Sequence, residues 1–183
     1  MILNNRIDFA VVFSVKNANP NGDPVGDNRP RTTSDGFGEV SDVCLKRKIR
    51  NRLQANRNPI FVQSDYFCDD GKKSLSDRFN NYIGKDKDKE SIAKKVCEKW
   101  LDVRAFGQVF AFKKGKDVDE ASLGIRGPVT IQSAFSIEPI EVESIQITKS
   151  VNNETTDKGD KSPDTMGMKH RVNAVYVTYG SIS

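Results

Sequence analysis

Residues Asn17–Leu53 read NANPNGDPVGDNRPRTTSDGFGEVSDVCLKRKIRNRL, and the two halves of this stretch have opposite character. The first half is turn chemistry. Asn19-Pro20, Asn21-Gly22-Asp23-Pro24 and Arg29-Pro30 interrupt strand and helix alike, because proline removes a donor while Asn, Asp and Gly form local turns. The second half predicts a helix from about Asp42 to Gln54. Ser41 suits the N-cap and Asp42 suits the positive end of the helix dipole. Leu45, Ile49 and Leu53 recur at four-residue spacing as a narrow apolar stripe. From Lys46 to Arg52 five of seven residues are cationic. Lys46 and Arg50 are expected on one side of the stripe, Lys48 and Arg52 on the other, and Arg47 roughly outward. A helix that merely faces solvent mixes its signs, but here no acidic i,i+4 partner occurs between Lys46 and Arg57. A loop holding Arg29 and Arg31 that feeds such a helix points to anion binding, with phosphates as the natural ligand.

Upstream, Arg6–Lys16 (RIDFAVVFSVK) is the best strand pattern in the chain. Ile7, Phe9, Val11, Phe13 and Val15 alternate onto one face. Val12 on the other face predicts a central strand rather than an edge. Strand, loop and helix together form a βα unit, its apolar stripe docked on a sheet and its basic flanks at the rim.

Downstream, residues 55–90 are weakly patterned and read as an insertion. Ile60-Phe61-Val62 packs locally, Phe79, Tyr82 and Ile83 give a short helical face, and the sign-alternating Lys85–Glu90 marks a boundary. Ile92, Val96, Trp100 and Val103 follow helical spacing, with Ser91 as the cap and Gly107 ending or bending the helix. Phe106, Val109, Phe110 and Phe112 continue apolar, as helix or strand. Lys113–Gly124 reads as a polar loop. Val129–Ile140 alternates as a strand with Val129, Ile131, Ser133, Phe135, Ile137 and Pro139 on one face, and Ile145–Val151 is a shorter one. Asn152–Pro163 has no apolar residue and reads as a loop tip or a disordered stretch. Met166–Arg171 is compact and basic, and the last strand runs Val172–Ile182. The flanks of the 152–163 tip are placed to pair as a projecting arm. The order suits an α+β fold of the ferredoxin-like kind in a single domain.

The 183 residues carry a net charge of +4, with 30% charged and 36% hydrophobic side chains. That balance permits a nucleic-acid partner and leaves its distribution to decide. Cys44, Cys68 and Cys97 are an odd set without a C-x-x-C pair, which suits a reducing cytoplasm and argues against a disulfide framework or structural zinc. No apolar run approaches a membrane span. Asp23 and Asp27 are hard oxygen donors, but their loop lacks the EF-hand order, so it reads as a turn whose Asn and Asp side chains bond to their own backbone. His170 is the only histidine and sits between Lys169 and Arg171 as a phosphate-contacting or stacking group. No phosphate-cradling glycine loop, Ser/His/Asp set or nucleophile elbow occurs. Arg104-Ala105-Phe106-Gly107 and Ile125-Arg126-Gly127-Pro128 each set an arginine beside a glycine near an element end. No cofactor is expected.

NPNGDP after the first strand, then SDVCLKRKIRN, DVRAFG, IRGPV, the SIEP segment and TMGMKH together resemble the CRISPR-associated backbone subunit (the Cas-seven family) of type I-C Cascade complexes. The six motifs keep the family's order from about residue 7 to 183. The resemblance implies an RRM-like palm with fingers inserted at about 55–90 and a projecting thumb arm at about 141–169. It implies a non-catalytic subunit whose copies line up head to tail along a crRNA beside other Cascade subunits. They hold its backbone and present its bases to target DNA. Lys46 and Arg50 would meet phosphates, Arg47 and Lys48 would assist, and Asn19 and Asn21 would shape the loop. Lys169 and His170 would lie at the base of the thumb, with Arg104 and Arg126 as further contacts. Met168 departs from the family pattern, which has a basic residue there. The family continues past the strand ending at Ser183, so the chain reads as an N-terminal portion with an incomplete palm. Some backbone subunits of related complexes cut RNA, and a metal-dependent ribonuclease using Asp23, Asp27 or Asp42 is the enzyme alternative.

Overall fold

The computed structural model describes residues 3–111, 122–149 and 165–183. Within them the chain is α+β, with four strands side by side in the order β1 (Ile7–Ala18), β10 (Thr165–Ile182), β8 (Ala134–Pro139) and β4 (Phe37–Val40). Strand β10 is 18 residues long and also pairs antiparallel with β9 (Glu143–Thr148) near its start and β7 (Val129–Ile131) at its end. Two small ladders complete the strands: β2 (Gly22–Asp23) with β3 (Arg29–Pro30), and β5 (Gly107–Phe110) with β6 (Leu123–Arg126). The helices are α1 (Asp42–Ala55), α2 (Leu75–Ile83), α3 (Lys89–Lys99) and α4 (Leu101–Phe106). The chain divides into two compact units. One comprises Met1–Phe9, Val43–Gln132 and Gly180–Ser183; the other Ala10–Asp42 and Ser133–Tyr179. Strands β1 and β10 contribute to both.

The helical unit is built on aromatic packing. Phe61, Ile83, Ile92, Val96, Trp100, Val103 and Phe110 form one buried cluster. Phe61 lies at its middle, 4.7 Å from Trp100 and 5.2 Å from Phe110 by ring centroid. Residues 55–90, expected to pack locally as an insertion, therefore share this core through Phe61 and Ile83. Asp88 rather than Ser91 caps α3, its carboxylate accepting the Ser91 N–H at 2.9 Å. Capping there adds the turn Lys89–Glu90 to the helix, because an acidic side chain satisfies an otherwise orphan donor. Trp100 breaks the helical run with extended φ and ψ, and Gly107 ends α4 at φ 77. Of the apolar residues after Gly107, Val109 and Phe110 are in strand β5. Of the expected loop Lys113–Gly124, Leu123 and Gly124 belong to β6 instead, and residues 112–121 lie outside the described residues.

In the sheet unit, Val40, Ala134, Val172 and Tyr176 are buried, and Phe13 stacks on Tyr176 at 5.5 Å with rings 9° apart. Three expectations are corrected here. Strand β1 ends the described sheet order, and its Val12 is 65% exposed; a lone apolar side chain at the surface is ordinary and carries no positional signal. The strand expected over Val129–Ile140 is two strands parted at Gln132–Ser133; in β7 Val129 and Ile131 keep the expected, less exposed face, but in β8 the inward face is the opposite one. Ala134 and Ser136 point in, whereas Phe135 and Ile137 are 45% and 60% exposed. Tyr176 lies opposite Ser136 in the ladder, so its ring takes the volume a large neighbour would need. A one-residue slip exchanges every side chain between faces. Finally, Phe37–Val40, inside the stretch taken as loop, is strand β4 at the other end of that order.

The segment expected to be compact around Met166–Arg171 is the start of β10. It pairs with β9 from Thr165↔Thr148 to Arg171↔Glu143, so the flanks of the 152–163 tip do pair; the tip itself lies outside the described residues.

Candidate nucleic-acid interface

The turn-rich loop is a stack of hairpins held by its own polar side chains. Asp23 accepts the Gly26 and Asn28 N–H groups on its carbonyl and the Val25 N–H on its carboxylate at 3.2 Å. Asp27 and Asn28 adopt φ 53 and 57, the left-handed region that Asn and Asp tolerate through local bonds. Asn19 donates to the Asn28 carbonyl at 2.7 Å. Asn21 accepts both the Ser41 N–H and the Ser41 hydroxyl at 2.9 Å, tying the loop to the residue before α1. These contacts give Asn19 and Asn21 the loop-shaping geometry read from sequence. Arg29 is exposed, while Arg31 is half-buried, 3.6 Å from the Asp23 carboxylate.

Helix α1 belongs to the other unit, apart from Asp42. Its cations separate into two groups. Arg50 donates from Nε to Asp102 Oδ2 at 2.9 Å and lies over the Phe106 ring at 5.2 Å. Arg47, expected outward, turns in and donates to the Val62 carbonyl at 2.7 Å. Burial, with the Arg50 charge beside it, presses the Arg47 guanidinium below its ordinary pKa. Lys46 is half-buried, whereas Lys48 and Arg52 are exposed at i,i+4 spacing. The outward cations of the helix are thus Lys48 and Arg52. Arg52, to which sequence reading assigns no phosphate contact, joins Lys48 on the exposed side of the helix.

The two arginine–glycine motifs meet. Arg126 lies opposite Gly107 in the β5–β6 ladder, three residues beyond Arg104. A Cβ on Gly107 would collide with the Ile125 carbonyl, and one on Gly127 with the Ala105 carbonyl. The glycines permit this backbone approach, and Arg104 and Arg126 are both exposed.

On β10 neighbouring residues point apart. Lys169 is exposed, whereas His170 is 8% exposed and its Nδ1 lies 2.9 Å from the Ser144 hydroxyl. His170 is therefore packed inside and does not present its ring as sequence reading expected. Among the described residues no three His, Cys, Asp or Glu side chains gather as a metal-holding group, and no helix is long and apolar enough to cross a membrane.

The family profile of CRISPR-associated protein Cas7 matches residues 5–183. The chain belongs to the Cas7 family. A CRISPR-associated protein Cas7 of Haloferax volcanii is 33% identical over 151 residues, covering 75% of this chain and 44% of that protein. The Cas7-family chain thus spans less than half the length of this relative. Two solved structures are similar in fold. One, a CRISPR RNA-guided surveillance complex in a pre-nicking form, has a chain matched at TM-score 0.55 and 16% identity, over 98% of this chain and 61% of that one. A second CRISPR RNA-guided surveillance complex has a chain matched at TM-score 0.51 and 18% identity, over 98% of this chain and 50% of that one.

Proposed function

We propose that this Cas7-family chain is a non-catalytic backbone subunit of a type I-C Cascade complex, holding the phosphates of a crRNA so that its bases pair with target DNA. In this reading the sheet unit contributes an RRM-like palm, residues 55–90 belong to the fingers and 141–169 form the thumb arm. Copies add head to tail along the guide beside other Cascade subunits. A heterologous contact that does not close produces such a filament. The observation that carries the reading is the family match over residues 5–183. The exposed cations Arg29, Lys48, Arg52, Arg104, Arg126 and Lys169 agree with it, because backbone contacts ask for charge and donors rather than for reactive groups.

A salt titration of binding to single-stranded RNA tests it. Removing one phosphate-neutralising cation lowers the slope of log affinity against log salt by about 0.7. Lys48→Ala with Arg52→Ala is expected to flatten the slope, equally for guides of different sequence. An unchanged slope counts against the helix as a phosphate-binding surface. Incubation with magnesium and complementary RNA addresses the ribonuclease alternative: periodic cleavage lost in Asp23→Ala, Asp27→Ala or Asp42→Ala would overturn the non-catalytic reading.

A further inference from the structure

Strand β10 carries an ordered row in which Lys169, read from sequence at the base of the thumb, is joined by Arg171 and Lys16, to which sequence reading gave no role. From Lys169 to Tyr179 its side chains alternate: His170, Val172, Tyr176 and Thr178 are buried, so Lys169, Arg171 and Asn173 share the outward face. The adjacent strand adds to that face. Phe13 stacks on the inward Tyr176, so Lys16, three residues on along β1, is set on the outward side, where it is exposed. At the end of β1 the backbone turns. Asn17 takes φ 57, its N–H donates to Asn173 Oδ1 at 2.8 Å, and its own Oδ1 accepts from Arg171 Nη1 at 3.2 Å. A non-glycine residue with positive φ costs energy unless its surroundings fix it. Here Asn17 and Asn173 do so, and together they orient the Arg171 guanidinium. The bond to Asn17 uses one of the five guanidinium N–H donors.

We infer that Lys169, Arg171 and Lys16 form a phosphodiester-binding row, with Arg171 aimed by Asn17 and with single-stranded RNA as the ligand. Residues at i and i+2 of a strand are separated by roughly 6.6 Å, comparable to successive phosphates of an extended polynucleotide. A preorientated guanidinium binds a phosphate with two parallel N–H donors, a geometry lysine lacks. Among the described residues an acidic group faces the row: Glu143 is the ladder partner of Arg171. The bland alternative is a cross-strand pair between these two residues with no ligand.

The inference rests on the RNA-holding reading, and the experiment separates their failures. RNA binding by the chain is titrated with salt for the unaltered protein and for Lys169→Ala, Arg171→Ala, Arg171→Lys, Asn17→Ala and Glu143→Gln, with thermal unfolding run beside each. Arg171→Ala is expected to weaken binding roughly ten-fold and to lower the salt slope by about 0.7. Arg171→Lys keeps the slope yet loses affinity, and Asn17→Ala repeats that pattern. Glu143→Gln tightens binding by up to about five-fold at low salt. If the unaltered chain binds with a clear salt slope and Arg171→Ala leaves both affinity and slope unchanged, the row is overturned alone. If Glu143→Gln destabilises the fold and leaves binding untouched, the cross-strand alternative replaces it. An unaltered chain with no salt-dependent RNA binding overturns both readings.

Discussion

Arg50 and Asp102, 52 residues apart in sequence, meet with Nε 2.9 Å from Oδ2, their side chains 13% and 0% exposed. The same carboxylate accepts the Phe61 N–H at 2.7 Å and the Val62 N–H at 3.1 Å. One buried charge thus ties α1 to α4 and to the segment that places Phe61 in the core. Removing one partner of a buried pair leaves an uncompensated charge, so Asp102→Ala and Arg50→Ala should each cost roughly 3–5 kcal/mol. Denaturant unfolding checks this. The double variant should lose less than the sum of the two, since the residues act on one another. If Arg50→Ala unfolded at the unaltered denaturant midpoint, the pair would have no structural weight.

Acid sensitivity follows from two aspartates. Arg78 donates from Nη2 to Asp70 Oδ1 at 2.8 Å, and this hydrogen bond holds the Asp70 carboxyl far below its ordinary value of 3.8. Lys95 and Ser91 draw Asp86 down to about 2. A depressed folded-state pKa means the unfolded chain takes up protons first as pH falls. Their contribution to stability is therefore complete above about pH 5 and begins to fade near the unfolded value of about 3.9; the Asp86 part is lost as pH falls through 2, while the Asp70 part fades more slowly and persists below it. Unfolding midpoints measured from pH 7 to pH 2 should follow that course, and Asp70→Asn should flatten the acid limb while lowering the neutral plateau.

Gly107 and Gly127 admit no side chain because the neighbouring atoms are backbone. Gly107 also sits at φ 77, where an L residue is strained. Gly107→Ala and Gly127→Ala should each destabilise by on the order of 1–3 kcal/mol. Gly124 in the same hairpin has open space beside it, so Gly124→Ala should be near neutral or slightly stabilising. Thermal unfolding of the three variants checks the contrast.

His170 and Lys169 should separate under mutation although they are adjacent. His170→Ala removes a buried ring bonded to Ser144 and should lower the unfolding temperature while leaving the RNA salt slope intact. Lys169→Ala should do the reverse. Equal effects on the slope would mean that β10 does not alternate as described.

The sequence alone determined whatever depends on near neighbours. Turn formation around Asp23 and Asn28, the extent of α1 after Ser41, the glycine stop at Gly107 and the pairing flanks of the 152–163 tip all rest on local bonds, caps and alternation. The ordered motifs likewise carried the family. Only the tertiary structure decided which of the basic residues face outward. The partners of Arg47 and Arg50 lie 15 and 52 residues away, and a helical wheel cannot anticipate a carboxylate arriving from α4. The inward face of β8 was equally hidden, because a period of two announces two faces without naming the one that meets Tyr176. Asp102 gave no sign of its role within DVRAFG, since it is one of 25 acidic residues in the chain. Propensity and capping act over a few residues, whereas burial, ion pairing and face selection are set by contacts that exist only once distant segments have come together.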